Sequence, residues 1–321
     1  MTAGEKTRAL TEWALFTSLA VIVGLAGIYF PPFYLPAAVC FPVPFILLVV
    51  RLDSRYGLAG LTVAGLLIAA AVPVKMAALV LVLQDGLLGM LYGLLFKNRV
   101  PSGRIISAGI AVSVVLAFSS AGLIYGATGA NPFILDQESR QLAGQWLHTG
   151  RLSGGTNGVP AELSGFSGEN IVTLFETLLP GQFVVTSAAT GAVVFFIGRM
   201  ALRRYDFYIP PAASFTGIYL PWYSIWGLIF GLGLILAGDF FSLQPAAKTG
   251  MNILFVLFYV YLVLGFSVAA YFFLKVRLAR PLKVFLLFTA FVYFPFSVAI
   301  LLFLGAIDPL VNFRRFPVVK E

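Results

Sequence analysis

The chain has 321 residues, of which 60% are hydrophobic and 11% are charged, and its mean hydropathy is +0.96. Charged residues are too few to cover a water-soluble surface. The composition therefore excludes a soluble globular protein and predicts a polytopic integral membrane protein. The net charge of +8 would suggest nucleic-acid binding in a soluble protein. Here the basic residues cluster at the ends of apolar runs, where Lys and Arg contact lipid headgroups and set topology. We therefore expect membrane lipids as partners and no nucleic acid.

Nine apolar runs separate these clusters, and about 20 residues of helix cross roughly 30 Å of hydrocarbon. Backbone groups in hydrocarbon must be satisfied internally, so each run should be helical. The sequence thus predicts an all-α transmembrane bundle with spans near 13–30, 35–50, 57–73, 74–96, 105–126, 177–198, 220–238, 251–274 and 284–305. Pro36, Pro42 and Pro44 predict a kinked or partly unwound second span. Val72-Pro73 allows only a tight turn between the third and fourth spans.

The distribution of Lys and Arg predicts the orientation of the chain. With the N-terminus inside, 14 of the 21 Lys and Arg residues fall on the cytoplasmic side. Three of the others, Arg314, Arg315 and Lys320, belong to the C-terminal tail and would prefer the inside, which an even number of spans allows. We favour nine spans, with eight as the alternative. The basic N-terminus precedes an apolar run without a small-residue cleavage site, which predicts a retained signal anchor.

The one long loop, about 127–176, is predicted to lie outside. Its first part, DQESRQLAGQWLHTG, could form an interfacial helix with Leu142, Trp146 and Leu147 toward lipid. Its second part is rich in Gly and Ser and is typical of a flexible segment. His148 is most simply a solvated loop residue. With Cys40 as the single cysteine, the sequence offers neither a zinc-type cluster nor an intramolecular disulfide.

Asp85, beside Gln84, lies at the middle of the fourth span. A charge there costs about 2.5–3.5 kcal/mol on insertion scales, so the carboxyl should face a bundle interior or a wet cavity. Lys75 is ten residues away, about 15 Å at helical rise, and cannot pair with it directly. The carboxyl is therefore either neutral or hydrogen-bonded to a ligand or to hydroxyl groups. Two interpretations stay open, a ligand or proton site and a structural polar contact between helices.

Helical spacing places Asp85, Gly89 and Tyr92 on one face, at i, i+4 and i+7. The glycine would leave room beside the carboxyl, and Tyr92 could offer its ring and hydroxyl to a ligand. Lys75, nearer the outer surface, could attract an anionic solute. The candidate ligand-binding residues are therefore Asp85, Gln84, Lys75 and Tyr92.

Small residues four apart let helix backbones approach closely. Gly89–Gly93 and Gly227–Gly231 have this spacing, and we interpret both as packing within the monomer. The first span contains two further pairs of small residues with this spacing, Ala14–Ser18 and Ala20–Gly24. A packing seam and a docking surface for a partner helix are the two alternatives there.

The segment RRYDFYIPPAASFTGIYLPWYSIW, before the seventh span, mixes basic, aromatic and proline residues. This pattern predicts an ordered, extended strap along the inner membrane surface. Nothing in the sequence resembles a phosphate loop, a catalytic triad or a metal motif. We therefore expect no enzyme activity, no cofactor and no metal site.

Much of the chain resembles the YybS-like family of bacterial membrane proteins. The resemblance is carried by TRALTEWALFTSLAVIVGLAGIYFPP, FPVPF, VVRLDSRYGLAGL, DGLLGMLYGLLFKNR, IPPAASFTGIYLPWYSIW and MNILFVLFYVYLVLGFSVAAYFFLK. The ending, FPFSVAILLFLGAIDPLVNFRRF, is the most specific part, because Gly305, Asp308 and Arg314 match the family's terminal pattern. The resemblance implies a multi-pass protein of the bacterial cytoplasmic membrane, and the Lys and Arg distribution predicts that its N-terminus is cytoplasmic. The family is largely uncharacterised and implies no activity.

Residues 8–200 are similar in layout to the substrate-binding S components of energy-coupling-factor transporters. This resemblance implies a six-helix bundle at 1–200, followed by three further spans at 201–321. It implies capture of a small solute from outside, with an energy-coupling membrane partner and ATPase subunits supplied by other chains. Docking would use the first helix near Ala14 and Ser18, where the Ser departs from the usual Ala. The alternative is a non-transporting membrane scaffold or regulatory protein.

Overall fold

The computed structural model describes residues 3–73, 75–135, 137–138, 140–142, 168–205, 207–211, 214–276 and 279–314. Within them the regular structure is helical, without a strand, which confirms the all-α class. The principal helices are α1 Ala3–Tyr29, α2 Tyr34–Cys40, α3 Pro42–Arg51, α4 Ser54–Ala71, α5 Lys75–Val80, α6 Leu87–Lys97, α7 Ser102–Thr128, α8 Gly168–Arg203, α9 Ile225–Phe240, α10 Gln244–Lys275, α11 Arg280–Val292 and α12 Phe294–Val311.

The chain groups into two compact units. Unit 1 comprises Met1–Pro132 and Phe183–Ala212, and unit 2 comprises Phe133–Gln182 and Ala213–Glu321. The long helix α8 contributes residues to both. The functional division after residue 200 stays a prediction. Of the predicted interfacial helix, the structure describes only residues 137–138 and 140–142, which are helical, with Leu142 exposed. Trp146, Leu147 and His148 fall outside the described residues.

Nine stretches of described helix are long and apolar enough to cross a membrane, which agrees with the number of apolar runs in the sequence. They are Gly4–Tyr29, Tyr34–Arg51, Ser54–Ala71, Lys75–Lys97, Ser102–Thr128, Val172–Arg203, Trp222–Phe240, Gln244–Lys275 and Phe294–Val311. The predicted ninth span, 284–305, is wrong as a continuous helix, because α11 ends at Val292 and α12 begins at Phe294. Pro295 has no N–H to bond the carbonyl four residues earlier, so the helix breaks just before it.

Prolines also end or interrupt helices in unit 1, as the sequence predicts. The second span is interrupted at Phe41, directly before Pro42, and divides into α2 and α3. Between α4 and α5, Val72 is extended, with φ −98° and ψ 135°. This is the conformation that a following proline imposes, and the chain turns sharply at Pro73.

The glycines of α6 bring its backbone against α3. A Cβ at Gly89 would lie 2.9 Å from the Pro42 Cα, and one at Gly93 would lie 2.7 Å from the Val49 Cβ. This confirms that the Gly89–Gly93 pair packs within the monomer. It also corrects one inference, because the backbone of Pro42 occupies the space that Gly89 was expected to leave open. The core of unit 1 includes Phe41, Phe45, Ile46, Leu48, Ile68, Leu88, Tyr92 and Phe195.

Helix α1 has an inward and an outward face. Ala20 and Gly24 are buried, and a Cβ at Gly24 would lie 2.7 Å from the Ile68 Cδ1. The Ala20–Gly24 step is therefore a packing seam. Ala14 and Ser18 lie on the exposed face, and the Ser18 hydroxyl donates only to the Leu15 carbonyl of its own helix, at 2.9 Å.

Unit 2 is also built on close backbone approach. A Cβ at Gly250 of α10 would lie 2.6 Å from the Gly231 carbonyl oxygen of α9. This confirms that the Gly227–Gly231 region packs within the monomer. A Cβ at Gly305 of α12 would lie 2.8 Å from the Gly265 nitrogen of α10. Any side chain at these positions would separate the helices.

A buried ion pair between Asp308 and Arg314 holds the C-terminal end of α12 against its neighbours. Arg314 donates to Asp308 at 2.7 Å, to the Ser267 hydroxyl at 2.8 Å and to the Thr216 carbonyl at 2.7 Å. It also donates to the carbonyl of Ile218. The structure thus joins two residues of the C-terminal sequence pattern, Asp308 and Arg314, to the strap at 214–224 and to α10.

These bonds place three chain segments at one end of unit 2. Thr216 lies in the strap just before α9, and Ser267 lies eight residues before Lys275, the last residue of α10. Arg314, after the end of α12, is at the same end. Between Lys275 and Arg314 the chain leaves this end of unit 2 and comes back to it. This segment therefore crosses the membrane either twice or not at all. The geometry of unit 2 therefore favours an even number of crossings, with Arg314 on the side of the strap.

We predict that the C-terminal tail is cytoplasmic. In a Cys40→Ser background, an impermeant thiol reagent should label Ala130→Cys in intact cells. Gly103→Cys and Val319→Cys should react only after permeabilisation, because basic clusters hold both segments inside. Labelling of Val319→Cys in intact cells would require an odd number of crossings. Protection of Ala130→Cys with labelling of Gly103→Cys would reverse the whole orientation.

Candidate functional site

Asp85 lies in a π-helical segment of unit 1. The segment is Leu81–Gly86, between α5 and α6, and the N–H of Leu87 bonds to the Val82 carbonyl, five residues back. Single π-helical turns inside α-helices are rare and occur frequently at functional sites. Asp85 is only 4% exposed, so the extra residue in this turn presents a carboxyl to the interior.

The surroundings of Asp85 are polar but do not neutralise it. Among the described residues the carboxyl has no hydrogen bond and no ion pair, and it interacts electrostatically with the half-exposed Tyr34 phenol at the start of α2. The neighbouring Gln84 accepts a hydrogen bond from the Ser120 hydroxyl of α7, at 3.2 Å. A buried polar group without a partner is costly. Asp85 can lower that cost by keeping a proton or by binding a donor from a ligand.

The hydroxyl of Tyr92 is engaged inside unit 1. Tyr92 is fully buried, and its hydroxyl donates to the Gly191 carbonyl of α8 at 2.6 Å. Its ring lies beside Phe96 and Phe195, with centroids 6.3 Å away in both cases. This arrangement joins α6 to α8. A ligand contact by Tyr92 stays a prediction, which the bond to Gly191 disfavours.

The other predicted site residues lie apart from Asp85. Lys75 is exposed at the first residue of α5. Ala14 and Ser18 lie on the outward face of α1, among exposed apolar side chains that include Leu10, Leu15 and Ile22. Asp85 and Gln84 are neighbours in the chain, and the structure leaves Lys75 at the end of the same span.

Sequence reasoning missed two residues of this region, Tyr34 beside the Asp85 carboxyl and Ser120 beside Gln84. Ser113 and Ser120 are seven residues apart and form a polar stripe on α7, which helical spacing could have revealed. Ser113 donates to the Ser187 carbonyl of α8 at 2.7 Å. No spacing rule connects Tyr34 to Asp85, because the two lie on different helices.

A second set of polar residues in unit 1 joins α1 to the C-terminal end of α3. Glu12 of α1 accepts from the Arg51 Nη2 at 2.7 Å and from the Arg8 Nε at 3.3 Å. Arg51 also lies under the ring of Tyr205, 4.7 Å from its centroid. A cleft of about 330 Å³ beside them is lined by Glu5, Arg8, Ala9, Glu12, Arg51, Leu52 and Phe207.

Asp53 forms a third ionic contact at this end, between α3 and α4. Its carboxylate lies 3.0 Å from the Lys97 Nζ and accepts the N–H of Ser54 at 2.8 Å. The Lys97 ammonium, with help from the Ser54 N–H, holds the pKa of Asp53 below its ordinary value. Lys97 and Arg51, which lie at the ends of apolar runs, thus also join helices.

Comparison with known proteins gives one match. The family described as "Predicted membrane protein (DUF2232)" matches residues 18–309, which is nearly the whole chain. No curated protein and no solved structure matches the chain. The predicted kinship is thereby confirmed at the level of a family of membrane proteins, and no comparison supports the S-component layout.

Replacing Tyr92 by Phe tests whether the hydrogen bond from the Tyr92 hydroxyl to the Gly191 carbonyl stabilises the protein. The variant removes the bond from the Tyr92 hydroxyl to the Gly191 carbonyl, and a typical intramolecular hydrogen bond contributes about 0.5–1.5 kcal/mol. We expect a lower melting temperature in detergent than for the wild type, measured by tryptophan fluorescence. The control is Tyr125→Phe, because Tyr125 is exposed. Equal melting temperatures for wild type and both variants would show that the bond contributes nothing to stability.

Proposed function

The chain belongs to the DUF2232 family of predicted membrane proteins, and we propose that it is the small-solute-binding subunit of a transport system. The observation that carries the proposal is Asp85, a carboxyl that is buried without an ionic or hydrogen-bond partner among the described residues. Ionisable groups inside membrane spans are expensive and are usually retained for function.

The chemistry of Asp85 limits the solute. A carboxyl in a site of low polarity binds best to a hydrogen-bond donor or a cationic group, because either restores the interactions lost with water. Gln84 and Tyr34 add an amide and a phenol, which can orient a polar solute. We therefore infer a small solute with N–H or O–H donors that enters from the outer side. Because the Lys75 ammonium attracts anions and repels cations, the solute carries no net positive charge.

Energy for transport would come from other chains. The sequence has no nucleotide-binding motif, so an ATP-driven step requires ATPase subunits and an energy-coupling membrane partner. The outward Ala14–Ser18 step on α1 supports docking of such a partner, since small residues on a lipid-facing surface permit close approach of another helix.

A non-transporting scaffold or regulator is the second candidate. It is favoured by the fourth span's packing, in which Gly89 and Gly93 contact α3 and Tyr92 bonds to α8. On this alternative Asp85 would remain protonated and serve only the fold.

Asp85→Asn separates the two candidates, because it nearly preserves shape while removing the titratable group. We expect the wild type, purified in mild detergent, to retain a stoichiometric small solute that mass spectrometry detects. The variant should accumulate normally and lose the solute. Asp53→Asn is the matched control and should keep it, since Asp53 is an exposed carboxylate paired with Lys97. A wild type without solute, or a variant that keeps it, would contradict solute binding at Asp85.

A second variant tests partner docking. Replacing both Ala14 and Ser18 by Leu adds bulk to the outward face of α1 and should push a partner helix away. Affinity purification of the wild type should recover a second membrane protein that the double variant loses. Ala26→Leu, also exposed on α1, should keep the partner. Recovery of the wild type alone, with no crosslinked membrane partner, would remove the docking proposal.

A further inference from the structure

Arg199 is a buried cation on the inward face of α8. It is 8% exposed, and its Nη1 is buried without a hydrogen-bond partner among the described residues. By its position in the sequence, Arg199 is one of the 14 Lys and Arg residues expected on the cytoplasmic side. The structure places it within the helix, four residues after the buried Phe195 and three before the buried Leu202. Arg203, one turn later, is exposed.

No described carboxylate of unit 1 compensates this charge. Glu12 is bound by Arg51 and Arg8, and Asp53 is bound by Lys97. The charge that acts on Arg199 is the like charge of Arg203. A guanidinium does not lose its proton in proteins, so Arg199 cannot escape the cost of burial by becoming neutral. A buried unpaired charge is strongly destabilising unless an anion accompanies it.

We propose that Arg199 binds a phosphate group near the C-terminal end of α8, in unit 1. The planar guanidinium matches two phosphate oxygens at once, which an ammonium cannot do. Its position is fixed by the preceding residue, because a Cβ at Gly198 would lie 2.7 Å from the Ile46 Cδ1 and the helix therefore packs tightly there.

The phosphate has two chemical sources. It belongs either to the headgroup of an anionic lipid or to a free phosphate. Helix α8 ends at Arg203, and cytoplasmic leaflets are rich in anionic lipids that attract basic residues near helix ends. This site differs from Asp85 in charge and in the ligand it selects, so it does not depend on solute transport.

The test compares Arg199→Gln with Arg203→Gln, a matched variant at an exposed position. Melting temperatures are measured in phosphatidylcholine micelles, with added phosphatidylglycerol in one arm and added inorganic phosphate in the other. We expect the wild type and Arg203→Gln to be stabilised in at least one arm. Arg199→Gln should lose that shift. Its apparent affinity for phosphatidylglycerol or phosphate should be at least about tenfold weaker than that of the wild type. A shift with phosphatidylglycerol alone identifies a lipid site, and a shift with phosphate identifies a free anion.

Two results would overturn the proposal. One is an equal shift for Arg199→Gln and the wild type, and the other is a wild type that responds in neither arm. If Arg199→Gln does not accumulate, Arg199→Lys keeps the charge but loses the planar fork. Native mass spectrometry should then find bound anionic lipid or phosphate on the wild type and less on Arg199→Lys. Equal loading of the two, or an unloaded wild type, would refute the site.

Discussion

Helices in a bilayer gain little from burying apolar surface against one another, because lipid tails are as apolar as leucine. Close approach of backbones at glycine therefore holds both units together. In unit 1, Gly89 and Gly93 seat α6 on α3, and in unit 2, Gly265 and Gly305 seat α12 on α10. The positions of the polar groups follow from these contacts, since each contact fixes the rotation and depth of the helices that carry them.

Many buried polar groups in the described residues are satisfied locally, and two that are not, Asp85 and Arg199, carry the functional argument. Arg314 is surrounded by Asp308, Ser267 and strap carbonyls, and the Tyr92 hydroxyl reaches Gly191. These are structural contacts. Asp85 has no such partner, and it lies in a π-helical turn that an ordinary helix would not contain. A buried acid without a cation and a buried cation without an acid, Arg199, each call for a partner that the described part of the chain does not supply.

Family membership places the protein in the membrane without assigning an activity. The activity therefore has to be argued from the site. The two candidate functions differ in what the carboxyl of Asp85 does. If the carboxyl of Asp85 exchanges a proton or a ligand, the six-helix region is a receptor for a solute. If the carboxyl stays protonated, the same turn is a structural contact, and the small residues of α1 lose their implied role in docking. Either outcome leaves the phosphate site of α8 intact.

The sequence by itself determined the all-α class, the number of long apolar runs, the interruption before Pro42, the turn at Pro73 and the packing role of Gly89. Each follows from local chemistry, namely the length of an apolar run, the missing N–H of proline or the missing side chain of glycine. Tertiary structure alone decided that Arg199 faces inward, that Tyr92 bonds a carbonyl 99 residues away and that Arg314 lies beside the strap. The physical reason is that lipid-facing and protein-facing sides of a membrane helix are both apolar, so hydrophobicity cannot tell which side meets a neighbour.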